Sequence, residues 1–306
     1  MKNKRLLLLL VLALFISACG PAAGSDTQDT GANASDGAVA ESGETVDLNE
    51  LLTDVSTATQ NIKSVAIDML IHQTIGMPAG EGEAGQPLAI DSNVRMDLIV
   101  DPLLASVEMD MELPEEAQSD EPLTMLMYMD KDYIYMQMPG FGEMEPEWMK
   151  MSITAMGGPA LDPESLKQTM GNADSLSALK EVEDELEVTD QGDAWLIHYE
   201  GSGETAQKLF EMQLQAAGNS AASDIENADM KIDHIDYNYV IGKSDILPRS
   251  LKADLSYSIN LEGQTLPITQ KLEGNYSRIN EIDAIDIPQA ALDAEETNPN
   301  TIPVTP

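Results

Sequence analysis

The amino-acid sequence predicts an α+β domain built on one strongly curved antiparallel sheet, with a helix at its start and further helices inserted in mid-chain. Three observations predict it. Apolar residues recur at every second position through about ten stretches of strand length. Turn residues separate neighbouring stretches at hairpin spacing, so the strands pair antiparallel. A sheet of about ten strands curls or closes instead of lying flat.

The chain opens with Lys2, Lys4 and Arg5, an unbroken apolar run from Leu6 to Phe15, and then Ile16-Ser17-Ala18-Cys19. A basic start, a short apolar middle and a small-residue boundary make a secretory signal over 1–18, too short to span a bilayer as a mature helix. Cys19 is the sole cysteine. The Ile-Ser-Ala-Cys run resembles the lipobox of bacterial lipoproteins. That resemblance implies a diacylglycerol thioether, with palmitate-type acyl chains, on Cys19 and cleavage before it. Two chains hold a protein stably where one gives only marginal residence, so the mature chain is expected at the outer, extracytoplasmic face of the cell membrane. The bland alternative is an ordinary leader with a chance cysteine. Once Cys19 is lipidated, no thiol remains for a disulfide or a nucleophile.

From Gly20 to Glu44 the chain is Gly, Ala, Ser, Asp and Thr with almost no large apolar residue, so residues 19–44 read as a disordered acidic linker. A flexible chain of about 25 residues spans about 25–30 Å on average, enough to lift a domain off a membrane. The stretch 291–306, with Asn298-Pro299-Asn300, Pro303 and Pro306, reads as a disordered tail. The folded domain is then 45–290. The chain carries 16 basic against 54 acidic residues. Removing Lys2, Lys4 and Arg5 leaves 13 against 54, a net charge of −41. Such a surface repels nucleic acid and anionic headgroups. Nucleic-acid binding is excluded, and the acidity serves solubility.

Asp47 followed by Glu50 predicts a capping box, with Val46 and Leu51 as a hydrophobic staple. Leu48, Leu51, Leu52, Val55 and Ile62 then share a helical face. Alternation predicts strands through Val65–Ile71, Val94–Val100 and Val107–Leu113, the last with one apolar and one anionic face. Asp101-Pro102 is a turn. Met125-x-Met127-x-Met129, Asp130-Lys131-Asp132 and Ile134-x-Met136-x-Met138 make a hairpin. A loop is expected from Pro139 through Trp148. Asp162-Pro163-Glu164 starts one or two short helices reaching Leu179. Val182–Val188 and Ala194–Tyr199 pair across Asp190-Gln191-Gly192-Asp193, a helix is expected from Glu204 to Ala217, and three alternating strands close the domain, about Ile235–Ile241, Leu251–Ile259 and Ile268–Tyr276.

This order of elements resembles the LolA/LppX-like superfamily, exported carriers and lipoproteins with a half-barrel sheet closed by helices over a hydrophobic cavity. More narrowly, Lys131-Asp132-Tyr133-Ile134-Tyr135-Met136, Trp148-Met149-Lys150-Met151 and Ile246-Leu247-Pro248-Arg249 resemble a family of uncharacterised Gram-positive lipoproteins. The resemblance spans about 45–290 and implies lipid or lipoprotein handling. It carries no catalytic motif.

The chain has 18 Met and only 3 Phe. Met96, Met109, Met111, Met125, Met127, Met129, Met136 and Met138 all occupy the apolar phase of predicted strands. If these phases face one space, they line a soft surface suited to ligands of variable shape, because unbranched thioethers repack cheaply. A Met-rich filled core and a thioether copper(I) site are the alternatives, the latter less economical because core-facing positions explain the alternation without metal. Trp148, with Phe141 and Pro139, is either an aromatic lip at a cavity mouth or a buried loop anchor. His72, His198 and His234 show no ligand spacing for zinc. No nucleophile elbow, zinc-protease motif, phosphate loop or calcium loop is present, so neither an enzyme nor a cofactor is expected. The sequence thus predicts a monomeric, membrane-tethered binder of a lipid or acyl chain. The alternative is a cell-envelope interaction or sensory module with a filled core and no small-molecule ligand.

Overall fold

The computed structural model describes residues 46–77, 87–112, 123–137, 147–153, 179–180, 182–216, 229–261 and 264–297. The expected leader and linker, Cys19, Met138, the loop residues Pro139 and Phe141, and the helix starting at Asp162 lie outside them.

Helix α1 (Leu48–Thr59) starts where the capping signal stands. The Glu50 N–H donates to Asp47 Oδ1 at 3.1 Å. Leu48, Leu51, Leu52 and Val55 are buried along one stripe. On its polar side, Thr53 Oγ1 accepts from Lys180 Nζ at 3.0 Å, and Asn49 donates to Glu183 at the start of the short 3-10 turn Glu183–Glu185.

Eleven strands follow: β1 (Ser64–Ile75), β2 (Leu88–Ile99), β3 (Leu104–Glu112), β4 (Leu123–Asp130), β5 (Tyr133–Gln137), β6 (Trp148–Ser152), β7 (Leu186–Asp190), β8 (Ala194–Gly201), β9 (Asp229–Gly242), β10 (Pro248–Leu261) and β11 (Gln264–Ser277). They form one sheet in the order β6-β5-β4-β3-β2-β1-β11-β10-β9-β8-β7. Helix α2 (Gly203–Ala216) follows β8, and α3 (Gln289–Leu292) follows β11. The chain groups into two compact units, one holding α1, β7 to β10, α2 and the first half of β11, the other β1 to β6, the rest of β11 and α3.

In the first of these, alternation decides burial. Ile235, Tyr237, Tyr239 and Ile241 of β9 are buried, and their direct partners on β8 are Gly201, Tyr199, Ile197 and Trp195. Leu209 and Phe210 of α2 are buried as well, and the Phe210 ring lies 5.9 Å from that of Tyr257 on β10. A register shift between Ser256 and Tyr257 of β10 marks a bulge. Gly201 is required by space: a Cβ there would stand 2.2 Å from the Tyr199 hydroxyl oxygen. The β7–β8 turn closes as expected. Asp190 Oδ1 accepts from Gly192 N–H at 2.8 Å and from Lys243 Nζ at 2.5 Å, and Lys243 lies 3.8 Å from the centre of the Trp195 ring.

In the second unit, the Asp130-Lys131-Asp132 turn is held by the Asp130 carboxylate, which accepts from the amides of Asp132 and Tyr133, both at 2.8 Å. Three sequence expectations are corrected. Trp148 begins strand β6 instead of ending a loop; Met149 and Met151 alternate with Lys150 and Ser152, a pattern short enough to pass for irregular chain. The β7 strand begins at Leu186, because Glu183–Glu185 turns first. The tail expected from 291 is structured to Thr297. Helix α3 buries Ala291 completely, Lys150 Nζ donates to the Leu292 carbonyl at 3.3 Å, and Thr297 N–H donates to the Lys150 carbonyl at 2.7 Å. This segment covers the exposed edge of β6, where an unpaired ladder would otherwise invite aggregation.

Candidate functional site

Direct cross-strand partners in an antiparallel sheet share a face, so the register decides which methionines meet. One row runs Met96 (β2), Val107 (β3), Met127 (β4), Met136 (β5) and Met149 (β6). The row on one side is Leu98, Ala105, Met129, Ile134 and Met151. On the other side Val94, Met109 and Met125 align, and beyond them Ser92, Met111 and Leu123. Every described methionine picked out from the sequence therefore stands on one face of β2 to β5, and Met149 and Met151 extend that face onto β6.

This face is covered unevenly. Met109, Met125 and Met151 are buried at 5%, 7% and 5% exposure. Met96, Met111, Met127, Met129, Met136 and Met149 are only half-buried. An unbranched thioether with three rotatable bonds fills irregular space and changes rotamer at little cost. The face is thus apolar, deformable and partly accessible. Because it is built on paired strands, its backbone is stiff while its lining is soft.

Trp148 is not brought to it. The strand period puts Trp148 opposite Gln137, on the other side of the sheet from Met149. There its ring packs 5.8 Å from that of Tyr128. Lys150 Nζ lies 4.5 Å from the Tyr133 ring centre and 5.6 Å from that of Tyr135. The Tyr135 hydroxyl donates to Asp130 Oδ2 at 2.9 Å; burial first, and the Asp130 carboxylate second, push its ionisation well above the usual tyrosine range. This second face also carries Asp91, Glu108 and Asp110, and Arg95 stands 3.3 Å from Glu108 and 3.9 Å from Asp110.

The histidines are scattered, as their spacing indicates. His72 on β1 pairs with Asp91 on β2. His198 on β8 contacts Asn238 at 3.2 Å, and His234 lies on β9. Among the described residues, no group of three His, Cys, Asp or Glu is placed to hold a metal ion, and no helix is long and apolar enough to cross a membrane. An open cleft of about 530 Å³ lies at the β7–β8 turn, beside Gln191, Asp193, Lys243, Ser244 and Arg249. Its cations already have partners, Lys243 in Asp190 and Arg249 in Asp245 at 2.6 Å.

Two inward residues were not singled out from the sequence. Gln73 and Ser92 are 2% and 4% exposed, in the apolar phase of β1 and β2, between Ile71 and Ile75 and between Ile90 and Val94. The Gln73 Oε1 and Ser92 Oγ atoms have no hydrogen-bond partner. The signal was legible as a polar residue interrupting an otherwise apolar period.

Among solved structures, the chain is similar to LprF from Mycobacterium bovis, with 11% identity, 80% of this chain and 97% of that one covered and a TM-score of 0.38. It is also similar to a DUF1329 family protein from Desulfovibrio piger, with 8% identity, 78% and 95% coverage and a TM-score of 0.26. No curated protein matches it. The model of a family of unknown function, DUF6612, matches residues 47–296, from the cap of α1 to the edge of β6 covered by Glu296, and the chain belongs to that family.

Proposed function

We propose that this domain binds a hydrophobic ligand, a lipid or an acyl chain, on the methionine face of β2 to β6. The observation that carries the reading is the convergence of the sequence-distant methionines on one face, most of them half-buried. A core that serves packing alone favours branched side chains with few rotamers; thioethers along a partly accessible face suit an occupant of variable shape. In this reading the sheet curves into a half-barrel of the LolA/LppX kind around the ligand, and a diacylglycerol on Cys19 holds the chain at the outer face of the cell membrane as a monomer, without catalysis. The experiment is lipid analysis of the full chain purified from membranes. The reading expects a stoichiometric apolar species that Met127→Asp or Met136→Asp displaces. Recovery of a lipid-free chain that takes up no fluorescent acyl probe would favour the filled-core interaction module instead. Retention of copper(I) lost on changing Met125, Met127 and Met129 to Leu would favour the thioether metal site.

A further inference from the structure

Two of the five buried polar side chains among the described residues have a clear structural reason. Thr59 Oγ1 donates to the Val55 carbonyl at 2.6 Å, and Ser64 Oγ accepts from Ile282 N–H at 3.0 Å. Gln73 Oε1 and Ser92 Oγ have none. They belong to adjacent strands, tied on the outer face by the His72–Asp91 pair, so Gln73 and Ser92 are inward neighbours of that pair. Ser92 stands at the end of the methionine face, directly opposite Met111. A buried polar atom without a partner is costly, and two of them placed diagonally on one face of adjacent strands, within reach of one group, call for an occupant.

The chemistry of that occupant follows from the donors available. A serine hydroxyl donates and accepts, and an amide presents an oxygen or an NH2 according to how it is turned. A hydroxyl group satisfies both in either orientation; an ester or a hydrocarbon end does not. A carboxylate or phosphate would need a cation. Within this unit, Arg95 and Lys150 lie on the opposite face, Arg278 is paired with Asp97, and Lys63, Lys131 and Lys271 are exposed, so an anion buried beside Gln73 and Ser92 would lack a buried cation. Met111, half-buried and unbranched, stands directly opposite Ser92 and can change rotamer without breaking the sheet.

We infer that Gln73 and Ser92 form a polar anchor for the uncharged hydroxyl headgroup of a single-chain amphiphile whose tail lies along the methionine face. This rests on the apolar-ligand reading above. The test is native mass spectrometry of the full chain in detergent after incubation with equal amounts of 1-monooleoylglycerol, methyl oleate and oleate. The monooleoylglycerol adduct is expected to exceed each of the others about tenfold, the ratio for one good hydrogen-bonded anchor. In Gln73→Met combined with Ser92→Ala, total adduct persists and the ratio falls to about one. The ligand-free melting temperature of this double variant should not fall, because no protein hydrogen bond is removed. A ratio near one in the unaltered chain, or oleate bound best, overturns the anchor while leaving the apolar-ligand reading intact. An absence of any adduct overturns both.

Discussion

Met109 on β3 and Met125 on β4 are direct partners across the sheet and are both buried, while one pair further along Met127 and Met136 are direct partners across β4 and β5 and remain half-buried. The same residue type on the same face thus does two jobs, packing at one end and lining accessible surface at the other. Met109→Ala or Met125→Ala should cost about 2–5 kcal/mol of stability through lost transfer energy and a residual cavity. Met127→Ala and Met136→Ala should cost less than half of that and weaken binding of an acyl probe instead. Urea denaturation alongside probe titration separates the two effects; equal stability losses at all four positions would mean a uniformly filled core.

Trp148 serves as a control on the placement of the site. Its indole packs on Tyr128 away from the methionines. Trp148→Phe should leave acyl-probe affinity unchanged within a factor of about two, which is ~0.4 kcal/mol, and cost modest stability. A tenfold affinity loss would move the site to the other face of the sheet.

The Lys243 ammonium is held between the Asp190 carboxylate at 2.5 Å and the Trp195 ring at 3.8 Å. Lys243→Met removes the cation beside Asp190, whose side chain is only 12% exposed and also accepts from the turn amide of Gly192. A loss of about 1–3 kcal/mol is expected, in the range for removing one charged partner of a largely desolvated carboxylate. Tryptophan emission checks it, since Trp195 and Trp148 are the two indoles of the chain. Emission unchanged together with unchanged stability would show that the contact contributes nothing.

The edge of β6 depends on the C-terminal segment. Ala291 is fully buried, so Ala291→Asp forces a carboxylate into a packed, desolvated position and should detach α3. Light scattering should then show concentration-dependent association through the bared edge. A variant as monomeric and as stable as the parent would mean that α3 is not needed to protect the edge.

Most of the architecture was legible because β-strand burial writes itself into period two. The helix cap at Asp47, the Asp130 turn, the Asp190–Asp193 turn and the methionine phase each rest on local chemistry readable from a few residues. What escaped was decided over distance. Thr297 pairs with Lys150 across most of the domain's length, and a Pro- and Asn-rich stretch carries no sign of a distant strand edge waiting for it. Trp148 reads from the sequence as either a cavity lip or a buried loop anchor, because its loop-like neighbours obscure the parity with Met149 and Met151. Gln73 and Ser92 were visible as breaks in an apolar period, but only the absence of partners makes them notable, and partners are a property of the fold.

Photo-crosslinking of the full chain with a diazirine-bearing acyl chain, followed by peptide mapping, locates the ligand on the sheet. Crosslinks are expected on β3 to β5, at Met111, Met127 and Met136, competed away by unlabelled monooleoylglycerol. Crosslinks absent above background, or confined to the Tyr128–Trp148 face, would contradict a ligand on the methionine face.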